Sequence, residues 1–348
     1  MEASQLSASR TAASTGPGLQ RAGSVLQQTF GDLIISKRKL RQAESIACVR
    51  LKRNSAEQNV GFVSRPFVLC GLPIKRPPPG TLLHERRNGR FILQVAGHPS
   101  YGLPWGQDRL VPIFLATLAV RQQSRTITFT SAADMLETFG MQQGGSQYRR
   151  LVEAFQRIFG ATIFFGTDTQ SVRANVFHHA RFSFMSEAQI WCSRLPADEP
   201  PPGKLENLIV LSREFYKEIM DHPIPTDLEA AKALSSAPAA LDLYTWLTYR
   251  CFSAKGEERV PLFGEFGLVN QLGIGAYARP RKFREQLEQW LILVKAMWPE
   301  CPARVSIDGG ALVVGKANAI ASGKIAESAD QTQHTYTNQS HEQHSSGY

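Results

Sequence analysis

One order of local signals occurs twice along this chain, and it constrains the fold more than any single motif. In the first pass Asp108 caps a helix running through Leu110, Ile113, Phe114 and Leu118 to about Gln122, and residues 126–129 alternate as a short strand. Thr130 or Ser131 opens a second helix that Gly140 ends, and Gln142-Gln143-Gly144-Gly145 turns the chain. A third helix spans 146–159, with Tyr148, Leu151, Val152, Phe155, Ile158 and Phe159 inward and Gln147, Arg149, Arg150, Gln156 and Arg157 outward. Residues 162–166 and 174–184 then read as the strands of a hairpin. The second pass has a long helix over 238–252, a strand over 259–262 and a helix over 266–272 ended by Gly273. A basic amphipathic helix over 279–298 follows, then a hairpin of 304–307 and 311–314 around Asp308-Gly309-Gly310.

The 279–298 stretch shows why this order suggests function. Phe283, Leu287, Trp290, Leu291 and Val294 recur at three-and-four spacing and make one buried stripe. Arg281 lies nearly opposite Phe283, Lys282 and Arg284 flank it, and Arg279-Pro280 supplies a helix start. A helix anchored along one side, with cations at its exposed N-terminal end, can lie in a major groove and touch phosphates. A solvated surface helix would carry the same face, so the argument rests on context.

Helix, strand, helix, turn, basic helix and hairpin is the order of a winged helix. The expected fold class is therefore α+β, mainly helical, with two tandem winged-helix (helix-turn-helix variant) domains and flexible N- and C-terminal tails. LETFGM at 136–141 echoes LVNQLGI at 268–274, so two reading units about 130 residues apart could engage successive major grooves. The expected division is a flexible basic arm over 1–55, a strand and loop region over 56–96, winged-helix domains over 97–196 and 197–316, and a disordered polar tail over 317–348. Within the arm, Lys37, Arg38, Lys39, Arg41, Arg50, Lys52 and Arg53 face Glu44 alone, and this stretch is expected to be partly helical. Pro77-Pro78-Pro79-Gly80 precedes a short strand pair around Asn88-Gly89. The stretch 196–203, with three consecutive prolines, is a loop or the domain junction, and Pro223 and Pro225 break the chain before another helix.

The net charge of +9 favours an acidic partner, either nucleic acid or an anionic membrane, and no apolar run approaches the 18 residues of a spanning helix. Residues 1–18 lack the apolar core of a secretory signal, and the five scattered cysteines suit reduced thiols in a cytoplasmic setting.

An enzymatic reading finds little support. DNA nicking needs a tyrosine and a metal held by histidines two apart on one strand face, whereas His178 and His179 are adjacent and point to opposite faces. There is no Walker-type phosphate loop, Gly273-Ile274-Gly275 does not follow the strand that a dinucleotide fingerprint needs, and the carboxylates make no compact acidic group. The expectation is no catalytic residue, no metal and no cofactor. Tyr244, Trp246 and Tyr249 at helical spacing read as core rather than as a stacking platform, and Tyr148 as packing. The DNA-binding candidates are Gln147, Arg149, Arg150, Arg157, Arg279, Arg281, Lys282 and Arg284, because arginine pairs bidentately with guanine and glutamine with adenine.

Several blocks also carry a family resemblance: GLPWG with Arg109-Leu110, ETFGMQQGGSQYRRLVEAFQRIFGATIFF, EFYKEIMDHPIPTDLEAAKAL and ALDLYTWLTYR. From about Gly97 to about Leu293 the chain resembles the plasmid-encoded RepA family of replication initiators. Trp105 stands where that family more often has Tyr or Phe, and the chain departs more freely after Trp298. The resemblance implies a bacterial, plasmid-associated protein that binds repeated double-stranded DNA at an origin, helps to open adjacent AT-rich DNA and recruits host initiator and helicase machinery. It also implies repression of its own promoter and a homodimer in exchange with monomer. Two other readings remain beside it, a transcriptional repressor acting only by promoter occupancy and an origin-nicking or priming enzyme.

Overall fold

Elements form where apolar residues recur at the helical or strand period, and the computed structural model describes them for residues 37–321, apart from 90, 130–131, 142–143, 171–174, 190–206, 265 and 273–278. Two compact units divide the chain, Met1–Glu44 and Ser45–Tyr348; of the first, only the opening turns of helix α1 (Lys37–Asn54) are described. Strand β1 (Val60–Ser64), helix α2 (Arg65–Leu69) and the hairpin β2 (Leu83–Asn88) and β3 (Phe91–Ala96) follow. A 3-10 turn over Gly106–Arg109 leads into α3 (Leu110–Gln122), β4 (Thr126–Phe129), α4 (Ala132–Thr138) and α5 (Gly145–Gly160). Then come β5 (Thr162–Gln170), β6 (Asn175–Ser183), β7 (Met185–Gln189), β8 (Asn207–Leu211), α6 (Arg213–Asp221), β9 (Pro223–Asp227), α7 (Leu228–Leu234) and α8 (Pro238–Ser253). The chain continues through β10 (Glu258–Pro261), α9 (Leu268–Gln271), α10 (Pro280–Met297), β11 (Arg304–Val305) and β12 (Ala311–Val314).

All described strand pairs are antiparallel, in sheets of order β1-β9, β2-β3-β5-β6, β4-β8-β7 and β10-β12-β11. Helix α8 is apolar on nearly every face and is accordingly buried along its length, with Leu243, Trp246 and Leu247 inaccessible to solvent. Tyr244 joins them, and Tyr249 packs partly buried against the same core. That core is one cluster extending from Leu110, Phe155 and Ile163 to Trp246, Phe283 and Val314. A buried ion pair between Arg109 and Asp242 crosses it, and Arg109 Nη2 also donates to the Leu72 and Pro73 carbonyls at 3.0 Å each.

Ser212 Oγ accepts from Phe215 N at 3.1 Å and so starts α6. The expectation for Gly140 holds, since it stops α4 at φ +59°. Others need correction. Pro223 and Pro225 do not break the chain but lie in β9, which pairs with β1 in a two-stranded sheet where proline can leave its missing donor on the open edge. Residues 45–54 are helical, as expected in part, but packed rather than flexible: Val49 is buried and Lys52 Nζ lies 2.7 Å from Glu229 Oε1. The polar tail does not begin at 317, since Ala319 and Ile320 are buried, Ala317 N donates to Cys251 O, and Arg53 donates to the Ala319 carbonyl. The 196–203 junction lies outside the described residues, but β4 on one side of it pairs with β8 on the other, Ile127 opposite Ile209. Strand pairing thus links the two expected domains. Among the described residues no helix is long and apolar enough to cross a membrane.

Candidate nucleic-acid interface

Helix α5 follows from its pattern except at Phe159, expected inward but 43% exposed beside the helix end. Leu151, Ala154, Phe155 and Ile158 turn into the core, Tyr148 packs partly buried against it, and Arg149, Arg150 and Gln156 face solvent. Gln147 is half-buried. Arg157 departs from the outward expectation. Its Nε lies 2.6 Å from Asp108 Oδ2 and its Nη2 3.0 Å from Oδ1, with Glu153 at 3.7 Å and the Trp105 ring centroid 5.8 Å from its guanidinium carbon. Asp108 Oδ2 also accepts from Trp105 N at 2.9 Å. The carboxylate read as a helix cap therefore holds the 3-10 turn and clamps the end of α5 as well. Arg157 is a structural cation, and a groove-reading role for it is withdrawn. Beside it, Trp105, Met135, Met141, Gln147 and Arg150 line an open cleft of about 400 Å³ between α4, α5 and the 3-10 turn.

Helix α10 starts at Pro280, as proline in a first turn allows. Phe283 and Leu287 are fully buried, and Phe283 meets Phe263 and Trp290 edge-on at 5.7 and 6.3 Å between centroids. Trp290 and Trp298 are both core residues. At the N-terminal end Arg279, Arg281 and Lys282 are exposed. The Arg281 side chain is 87% exposed and pairs with Glu285 one turn on at 2.8 Å, a contact weak enough to yield to a phosphate. Arg284 is half-buried, its Nε has no hydrogen-bond partner, and its Nη1 lies 2.5 Å from where a Cβ on Gly309 would sit. Helix α10 thus leans on the tip of the β11–β12 hairpin. The turn over 273–278 before α10, the 171–174 turn of the β5–β6 hairpin, and the Thr130-Ser131 and Gln142-Gln143 positions lie outside the described residues.

The structure adds one cation that the helix pattern did not single out. Strand β10 pairs with β12, and Arg259 on it reaches Asp308 Oδ2 in the hairpin turn at 2.9 Å. Only the Asp308-Gly309-Gly310 signal in the sequence hinted at what gathers there. His178 and His179 lie on β6 opposite Thr167 and Gly166; their side chains lie outside the described residues.

Residues 103–262 match the model of a protein family described as plasmid encoded RepA protein. Among solved structures, the crystal structure of RctB domains 2-3 is similar at 15% identity and a TM-score of 0.43, over 69% of this chain and 94% of that one. The selenomethionine form of RctB domains 2 and 3 is similar at 16% identity and 0.44, over 74% and 100%. A search of curated proteins finds no match.

Proposed function

We propose, from the match of residues 103–262 to the plasmid encoded RepA protein family model, that this chain initiates plasmid replication by binding repeated double-stranded DNA at an origin. The observation that carries the reading is the pair of helices α5 and α10. Each is held by a buried stripe and presents exposed cations near its N-terminal end, Arg149 and Arg150 on one and Arg279, Arg281 and Lys282 on the other. Around each the element order supports a winged helix: α3, β4, α4, α5 and the β5–β6 hairpin in one case, α8, β10, α9, α10 and the β11–β12 hairpin in the other. We assign the two domains to 97–196 and 197–316 as reading units, while their cores and sheets are joined.

The mechanism is binding rather than bond making. Basic helices fix register on the repeats, the occupied array strains neighbouring AT-rich DNA, and host initiator and helicase proteins act on what opens. The protein works in the bacterial cytoplasm, exchanges between monomer and homodimer, and needs no cofactor. If about eight phosphates are neutralised, affinity falls roughly a thousandfold or more between 50 and 200 mM salt. A flat salt response in a binding titration contradicts this reading. Repression by promoter occupancy alone uses the same helices. A plasmid carrying only the candidate origin separates the two when this protein is supplied in trans: maintenance supports initiation, and promoter silencing without maintenance supports repression. Nicked circles from supercoiled origin DNA with a divalent metal, abolished by one Tyr→Phe change, would favour the enzymatic reading.

A further inference from the structure

The hairpin joining β11 and β12 is a rigid finger with a single apolar tip. Gly309 N donates to Ser306 O at 2.8 Å, closing a four-residue turn, and Gly309 at φ +66° adopts the left-handed conformation that returns the chain to β12. Ser306 N donates to Ala311 O at 2.8 Å, Ala311 N to Ser306 Oγ at 2.9 Å and Gly310 N to Asp308 Oδ1 at 3.0 Å. These bonds tie Ser306, Asp308, Gly309 and Gly310 to one another and to Ala311. Ile307 sits at the second position of this turn at 110% of its reference exposure, the most exposed large apolar side chain among the described residues.

Its surroundings decide what it fits. A knob for a protein partner is normally one part of a wider apolar patch, yet Ile307 has Ser306, Asp308, Gly309 and Gly310 beside it in the turn. The Asp308 charge is paired with Arg259, Arg284 covers Gly309, and the exposed cations Arg279, Arg281 and Lys282 lie on the opening turn of the same α10. An isolated branched aliphatic side chain on a hydrogen-bonded turn, whose neighbours Asp308 and Gly309 are touched by Arg259 and Arg284, matches the wedges that enter a minor groove and part adjacent base pairs.

We propose that Ile307 is a duplex-straining wedge: with α10 in a major groove, the β11–β12 tip enters the adjacent minor groove and Ile307 inserts at a flexible step such as TA. This rests on the DNA-binding reading above and deepens it by naming a residue that converts occupancy into distortion.

The test uses the full chain and a linear duplex covering the DNA upstream of its own coding sequence. Gel retardation measures affinity, circularly permuted fragments measure bending, and permanganate measures unstacked thymines. Wild-type protein should bend the fragment by about 20° or more and create reactive thymines within the footprint. Ile307→Ser should remove both while changing affinity by less than about tenfold, and Ile307→Leu should restore them. If wild-type protein neither shifts nor protects the fragment, the DNA-binding reading falls and the wedge with it. If it binds and Ile307→Ser leaves bend and thymine reactivity unchanged, only the wedge falls. If Ile307→Ser instead alters the sedimentation of the free protein, the tip is a protein contact and the proposal is overturned.

Discussion

At the scale of single residues, the arginines of α5 divide by what they touch. Arg149 and Arg150 face solvent, whereas Arg157 is held by both oxygens of Asp108, whose side chain is 6% exposed. Removing one partner of a largely buried pair leaves the other charge uncompensated, so Arg157→Ala should cost about 3 kcal/mol of stability in urea denaturation. Arg149→Ala with Arg150→Ala should change stability by less than about 0.5 kcal/mol each while weakening DNA binding. The sequence did not separate these roles, because helical spacing gives direction around an axis and Asp108 lies 49 positions away. A second residue sets a pH dependence. Burial pushes the His84 imidazole down to about 4, with Nε2 against the Gly71 carbonyl at 2.9 Å. Below its ordinary value near 6.5 the unfolded chain takes up a proton that the folded chain refuses until about pH 4. Stability contributed by this group is therefore complete above 6.5 and falls as pH drops through that window, by about 1.4 kcal/mol per pH unit. The loss between pH 7 and pH 5 should be about 2 kcal/mol larger for the wild-type protein than for His84→Gln, which carries no titrating ring.

At the scale of elements, helices were legible and strand partners were not. The stripe of α10 lies where the spacing of Phe283, Leu287, Trp290, Leu291 and Val294 puts it, because a 3.6-residue period alone determines one buried face. The Asn88-Gly89 and Asp308-Gly309-Gly310 hairpins were also readable, since the turn residues carry the signal. Strands β1 and β9 escaped notice: Val60 pairs with Asp227 across the chain, and the prolines of β9 argue locally against a strand. Among the described residues, strand β7 pairs with β8, which follows it only after residues 190–206. Of the candidate site, residue types and helix faces could be read, whereas the Arg157 clamp and the Arg259 contact depend on tertiary partners. For α10 itself, Phe283→Ala should cost about 3 to 5 kcal/mol, as truncation of a fully buried aromatic does. Arg281→Ala with Lys282→Ala should leave thermal unfolding unchanged and weaken DNA binding, because neither side chain packs.

At the scale of the whole molecule, the 317–321 segment closes onto the start of the second unit. Gln58 Nε2 donates to Asp227 Oδ2 at 2.9 Å and to Ala319 O at 3.2 Å, and Ala321 N returns a bond to Gln58 Oε1 at 2.8 Å. Ending the chain after Lys316 should therefore cost on the order of 2 to 4 kcal/mol more than ending it after Ala321, through exposed apolar surface and orphaned polar groups, as read from the two denaturant midpoints. The central claim is that one chain carries two DNA-reading helices, α5 and α10. A hydroxyl-radical footprint of the full chain on its upstream DNA tests it most directly, read for wild type, Arg149→Ala/Arg150→Ala and Arg281→Ala/Lys282→Ala. Two protected segments are expected on one face of the duplex, separated by about 10 base pairs or a multiple, with each double variant losing a different segment. A single protected segment weakened equally by both variants, or protection that neither variant alters, would contradict it.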